Sequence, residues 1–170
     1  GQTPNIEVVF EDGQYDSKAS IAAYNKLKAE GVKAFLVFGT PSVMPLVPLV
    51  NTDHIPLMAL LLAPVYSTPN DYTFRMVASA VDTARYAADL LTAELGKKKI
   101  AVMYANNDYG IGALKSFKEF IGTRATIVIE EGAATGVIDY RAQVAKIKAA
   151  APDAIFMAMT YKEAGLFVKQ

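Results

Sequence analysis

"IAVMYANNDYGIGALKSFKEFI", residues 100–121, decides how this chain is read. Ile100 to Tyr104 is apolar without alternation, the pattern of a strand covered on both faces in a parallel sheet. It stops at Asn106, Asn107, Asp108 and Tyr109, and Gly110 and Gly112 follow. Leu114, Phe117 and Ile121 then recur at i, i+3 and i+7, the spacing of a helix face. The stretch is a strand, a turn and a helix. The turn between them is open to three readings at this point: a phosphate cradle, a catalytic loop, or the lip of a pocket for something small.

The same unit repeats on either side. Ile6 to Phe10 reads as a strand, and Asp16 or Ser17 can cap a helix that carries Ala19, Ala23 and Leu27 on one face and ends at Gly31. Ala34 to Phe38 is a second apolar strand, expected to be buried on both faces. A helix from Ser42 to Asn51 should be distorted by Pro48, which supplies no N–H. Leu57 to Leu61 and Thr73 to Val77 read as strands. Asp82 or Thr83 caps a helix with Tyr86, Leu90 and Ala93 on its inner side, and Gly96 stops it. Beyond the central stretch come a strand from Thr126 to Glu131, a helix marked by Tyr140, Val144, Ile147 and Ala151, a strand from Ala154 to Met159, and a helix starting near Lys162.

Strands that alternate with helices imply parallel pairing through crossovers, hence a layered α/β fold. The polar break Ala78-Ser79-Ala80 and the restart of the alternation after it predict two lobes, residues 1–78 and 79–170, with a hinge near 78–82.

Composition narrows the function classes. Of 170 residues 52% are hydrophobic and 20% charged, enough apolar mass for a real core. Lysine plus arginine equals aspartate plus glutamate at 17 each, so no basic excess marks a nucleic-acid footprint. No apolar run reaches the roughly 18 residues of a membrane span; the nearest, around Ile55 to Val65, is broken by Pro56 and Pro64. With no cysteine there are no disulfides, thiolate metal sites or cysteine nucleophiles. His54 is the lone histidine, in the turn "NTDHIP", without a companion for a metal. There is no G-x-S-x-G elbow, H-E-x-x-H or P-loop, so the residues point to binding without chemistry.

In a parallel sheet the strands end on one rim, and ligands bind there beside helix N-termini. Four such ends are "GTPSV" (39–43), "LLAPVYS" (61–67), "NNDYGIG" (106–112) and "MTYKE" (159–163). Thr40 and Ser42 offer hydroxyls where free N–H groups favour an anion. Tyr109 and Tyr161 offer flat faces with one polar tip. Each has a plainer reading. Ser42 and Asp108 are also good helix caps. Gly110-x-Gly112 lacks the third glycine of a dinucleotide fingerprint, since position 115 is lysine. Arg75, charged within a strand pattern, is expected to pair with a carboxylate at the lobe junction, and Met157 and Met159 to pack within a strand.

The stretch at 100–121, "DYRAQVAKIKAAAPDAIFMAM" at 139–159, "EVVFEDGQYDSKASIAAYNKL" at 7–27 and "YTFRM" at 72–76 together resemble the leucine/isoleucine/valine-type periplasmic binding proteins of ABC importers. The resemblance covers essentially the whole chain. It implies a type I periplasmic-binding fold: two parallel three-layer α/β/α lobes, each incomplete here, since the family has a strand and helix before "IEVVF" and continues past Gln170. Open strand edges would then be completed by further polypeptide or by self-association.

The resemblance further implies a small solute, an amino acid or organic acid, held between lobes that close by a hinge and delivered to an ABC permease. It implies a periplasmic, extracellular or surface-lipoprotein location, no catalysis and no cofactor or metal. Carried over by motif, Thr40 and Ser42 face the ligand carboxylate, Tyr109 packs on the ligand, and Thr160 and Tyr161 stand at another ligand-facing turn. Where the family offers small polar residues to the head group, this chain has Leu61, Leu62, Ala63 and Pro64. That departure favours a more apolar solute, aromatic or branched. Two other readings remain open here: a sensory domain of the same fold, and a nucleotide-dependent α/β enzyme.

Overall fold

The computed structural model describes residues 6–61, 63 and 71–170. The described residues form two compact units, 6–61 with 71–77, and Ala63 with 78–170.

The first unit opens with a correction. Ile6 to Phe10 joins no sheet among the described residues, and Ile6, Val8 and Phe10 are exposed. An apolar run becomes a strand only when a neighbour takes its backbone hydrogen bonds. Helix α1 (Ser17–Ala29) starts where expected. Asp16 has extended backbone and its carboxylate accepts from Lys18 N–H and Ala19 N–H at 2.9 Å, serving donors that no helix can serve itself. The buried stripe is Ser20 and Tyr24, one position on from the predicted alanines. Gly31, at φ +89°, ends the helix in a conformation that costs other residues energy.

Strand β1 (Phe35–Phe38) leads to α2 (Thr40–Val43), a 3₁₀ turn (Met44–Leu46) and α3 (Val47–Asp53). Pro45 and Pro48 break the predicted single helix into these three pieces. Tyr24 holds α1 to α3, its hydroxyl donating to Asp53 at 2.6 Å, and Lys28 pairs with the same carboxylate at 2.5 Å. Strands β2 (Leu57–Leu60) and β3 (Thr73–Arg75) complete a parallel sheet of order β1-β2-β3. One face, Phe35, Leu57, Ala59 and Thr73, is buried. The other is not: Leu36, Met58 and Phe74 stand side by side in register and are exposed, Leu36 by 63% and Phe74 by 53%. Both faces of Ala34–Phe38 were expected to be covered, and only one is.

The second unit has all three layers. Its strands β4 (Lys99–Ala105), β5 (Thr126–Ala133) and β6 (Ala154–Ala158) pair parallel in the order β5-β4-β6. On one face α4 (Ala80–Asp89, continued by a π turn Leu90–Glu94) and α5 (Asp108–Ile121) bury Ala84, Ala88, Phe117 and Ile121 against Ile100 and Val102. Phe117 stacks on Phe156 with centroids 4.2 Å apart, worth about 0.5–1.5 kcal/mol beyond its buried area. On the other face Tyr140, α6 (Arg141–Ala149) and α7 (Tyr161–Lys169) bury Ile147 and Phe167 against Ala101 and Met103.

Helix α4 corrects the sequence reading twice. Its cap is Ser79, not Asp82 or Thr83: Ser79 Oγ accepts from Asp82 N–H at 3.2 Å, and the Asp82 carboxylate accepts from Ser79 N–H, a reciprocal box. The break at 78–80 is therefore the helix start. Its buried stripe is Ala80, Ala84 and Ala88, while Tyr86, Leu90 and Ala93 face outward. Small residues at i, i+4 and i+8 let α4 approach α5 closely, and that outweighs the larger side chains.

Candidate functional site

The first unit's rim is the turn after β1. Gly39 has φ +93° and ψ 141°, its N–H donates to Leu60 C=O at 3.0 Å, and its own C=O accepts from Ser42 and Val43 N–H. This closes α2 tightly against the strand end. The side chains named from sequence then lie inside: Thr40 is 2% exposed and Ser42 5%. Ala63, which belongs to the second unit, is buried too, and Leu62 lies outside the described residues.

A residue missed from sequence lies on this rim. Gln14 and Tyr15 both have positive φ, 52° and 54°, in a turn closed by Asp16 N–H to Gly13 C=O at 2.9 Å. The Tyr15 ring rests on Gly39: a Cβ there would stand 2.2 Å from Tyr15 Cε2. Tyr15 also meets Phe38 at 6.2 Å, tilted 40°. Ser17 Oγ donates to Pro41 C=O at 3.0 Å, tying the same turn to the Thr40–Ser42 loop. The "DGQYD" turn before a capped helix was the available signal, but only the fold shows which loop it touches.

The second unit's rim joins the ends of β4, β5 and β6. Asn107, not Asp108, caps α5: its Oδ1 accepts from Gly110 N–H at 3.0 Å and its Nδ2 donates to Thr135 Oγ1 at 3.2 Å. Gly110 is required because a Cβ would stand 2.1 Å from the Ala105 carbonyl oxygen. Tyr109 is half-buried against Ala80, Ala113 and Ala158, and that burial pushes its hydroxyl pKa up. Its ring is therefore partly used by the unit's own core. At the β6 end, Thr160 N–H and Oγ donate to one oxygen of Glu163, at 3.0 and 2.9 Å, and Gly136 N–H donates to the other at 3.2 Å. Glu163 is buried and so locks two rim loops together. Tyr161, next to it, is 87% exposed.

The structure thus gathers Tyr109, Thr160 and Tyr161 on one rim and Thr40 and Ser42 on another. His54 caps α3 in a left-handed conformation and stacks on Tyr72 at 5.1 Å. Among the described residues no three His, Cys, Asp or Glu side chains cluster to hold a metal, and no helix is long and apolar enough to cross a membrane.

A family model described as periplasmic binding protein matches residues 2–170. The Leu/Ile/Val-binding protein homolog 3 of Brucella melitensis biotype 1 is 24% identical over 97% of this chain and 46% of its own length. The chain thus spans about half the length of the curated relatives it matches. Among solved structures, the branched-chain amino acid transporter substrate-binding protein LivJ of Streptococcus pneumoniae, in complex with isoleucine, superposes with a TM-score of 0.86 at 24% identity. It covers 95% of this chain and is itself covered to 47%. A solute-binding protein of an ABC transporter from Rhodopseudomonas palustris BisB5, in complex with 3,4-dihydroxybenzoic acid, also gives 0.86, at 23% identity over 96% and 46%. At these identities the likeness is one of fold. The parallel α/β units, the rim turns and the match over nearly every residue together make this chain a member of the periplasmic binding protein family, with the type I fold.

Proposed function

We propose that the protein is the extracytoplasmic solute-binding component of an ABC importer, binding a small organic acid or amino acid and passing it to a permease. The observation that carries this is the family match along residues 2–170, in a chain whose strand ends carry no recognisable catalytic set. The action is binding and release, without a chemical step.

In this reading Thr40, Ser42, Leu62, Ala63, Tyr109, Thr160 and Tyr161 serve the solute. Tyr161 is the strongest of these, since an aromatic residue 87% exposed on a rim has a face to give. Thr40 and Ser42 are buried, Pro41 has no N–H, and the Gly39 and Ser42 N–H groups already donate to Leu60 and Gly39 C=O, so this turn is the weaker partner in the reading. The Leu61–Leu62–Ala63 run, in place of hydroxyl-bearing residues, favours an apolar body on that solute.

The test is calorimetric titration of the protein, at the full length at which it is made, with isoleucine, with 3,4-dihydroxybenzoic acid and with ATP. Saturable binding of one of the first two, and none of ATP, is expected. Binding of ATP alone would replace this reading with that of a nucleotide-using protein, and binding of none of the three would remove it.

A further inference from the structure

We propose that Thr135 is a positioning residue for the solute: together with Gly136 it ties the turn that carries Tyr109 to the turn that carries Tyr161, so that the two rings meet the solute as one fixed pair. The proposal rests on the solute-binding reading above and names a residue through which that site is set.

Tyr109 is the second residue of α5 and Tyr161 the first of α7, so the cap of each helix sets where its tyrosine starts. The sheet alone does not join all three rim turns of this unit. Its strand order is β5-β4-β6, which puts the ends of β5 and β6 on opposite sides of β4, about 10 Å apart at the usual strand spacing. Ladder hydrogen bonds run only between neighbouring strands. A tie from the end of β5 to the end of β6 must therefore come from the turns and their side chains.

The turn after β5 supplies that tie in both directions. Thr135 Oγ1 accepts from Asn107 Nδ2 at 3.2 Å, and the same Asn107 caps α5, its Oδ1 accepting from Gly110 N–H at 3.0 Å. The next residue, Gly136, donates its N–H to one oxygen of Glu163 at 3.2 Å. The other oxygen of Glu163 accepts from Thr160 N–H and Oγ, at 3.0 and 2.9 Å, where α7 begins. Asn106 N–H donates to Ala133 C=O at 2.8 Å and pins the base of the turn. One chain of hydrogen bonds thus runs from Gly110 through Asn107, Thr135, Gly136 and Glu163 to Thr160. Its Glu163 end is buried, whereas the Asn107–Thr135 bond is exposed. That bond is the joint whose loss leaves both helix caps in place and frees the Tyr109 turn to shift against the Tyr161 turn.

The experiment measures dissociation constants of isoleucine and of 3,4-dihydroxybenzoic acid, and a melting temperature, for the full-length protein and four variants: Thr135→Val, Thr135→Ser, Asn107→Ser, and Thr135→Val combined with Asn107→Ser. Valine keeps the shape of threonine and removes the acceptor, while serine at 107 keeps a helix cap and is too short to reach Thr135. Thr135→Val and Asn107→Ser should each weaken whichever acid the wild type binds by roughly three- to tenfold, the reach of one hydrogen bond. The double variant should be no worse than the weaker single, because both changes delete the same bond. Thr135→Ser keeps the acceptor and should stay within about twofold of wild type. A merely structural role would lower the melting temperature and leave the dissociation constants unmoved, and that result overturns the proposal. Effects that multiply in the double variant, or an equal loss in Thr135→Ser, overturn it as well. In all three cases the wild type still binds and the solute-binding reading stands; a wild type that binds neither acid removes both.

Discussion

The ring of Tyr15 fills the space in which any side chain at Gly39 would have to begin. The ring comes from a residue at φ 54° and covers one at φ 93°. Gly39→Ala should cost about 1–3 kcal/mol from the left-handed backbone alone, with a further loss as the ring is pushed off. Urea unfolding of Gly39→Ala, Tyr15→Ala and the double variant checks this. The double variant should recover the clash and not the backbone cost, so a strictly additive cycle would sink the coupling.

Gly110 and Gly165 should respond in opposite directions to the same methyl group. At Gly110 the new carbon meets the Ala105 backbone at 2.1 Å, which has no rotamer to give, so Gly110→Ala should exceed about 3 kcal/mol. At Gly165, exposed within α7 with nothing inside 4 Å, alanine should stabilise by about 0.5–1 kcal/mol. Thermal denaturation of the two variants is the check.

How far the sequence carries is clearest where it fails. Strand β4 is legible because Ile100 to Met103 are all buried, and a strand covered on both faces needs no alternation. Ile6 to Phe10 has equally strand-like residues and pairs with no strand among the described residues, and strand formation is decided by the partner. Helix α4 misled because hydrophobicity ranks Tyr86 and Leu90 above alanine, whereas close helix packing favours Ala80, Ala84 and Ala88. The rim turns were legible from their Gly, Asn and Ser residues. The burial of Thr40 and Ser42, and the reach of Tyr15 to Gly39, depend on contacts distant in sequence.

Glu163 should be a structural switch for the rim it locks. It is buried and takes three donors from two loops, so Glu163→Ala leaves Thr160 and Gly136 N–H groups without their partner and should cost about 2–3 kcal/mol. Glu163→Gln keeps a side-chain acceptor and should cost less. Hydrogen exchange supplies the local readout: protection at Gly136 and Thr160 should fall in Glu163→Ala before the core amides of β4 change. Uniform loss of protection throughout the unit would contradict a local role.

The Tyr24–Asp53 bond predicts loss of stability at both ends of the pH scale. Lys28, then the Tyr24 hydroxyl, hold the Asp53 carboxyl below its usual range, and Arg141 holds that of Asp139 down to about 2. A lowered carboxyl pKa stabilises the fold above the unfolded value, about 3.9, and that contribution fades as pH falls through the folded value. Burial, then the Asp53 hydrogen bond and charge, push the Tyr24 hydroxyl pKa well above the ordinary tyrosine value. The folded state therefore keeps a proton that the unfolded state releases above about pH 10, and stability drops as pH rises past that point. Tyr24→Phe should lower the melting temperature at neutral pH and shrink both limbs. A pH–Tm profile unchanged in shape would show that the bond contributes nothing.

The open face of the first sheet makes the last prediction. Leu36, Met58 and Phe74 are aligned in register across three strands, and all are exposed. A contiguous apolar row of this kind is an association surface unless something covers it. The 170-residue polypeptide by itself should therefore self-associate in sedimentation velocity and bind a hydrophobic dye. Leu36→Lys together with Phe74→Lys should reduce both effects with only a modest change in unfolding free energy, because both side chains are mostly exposed within the unit. The full-length protein, about twice as long in its relatives, should show neither effect if its further chain lies on this face. A clean monomer of the 170 residues with no dye response would mean that the face is satisfied without additional polypeptide.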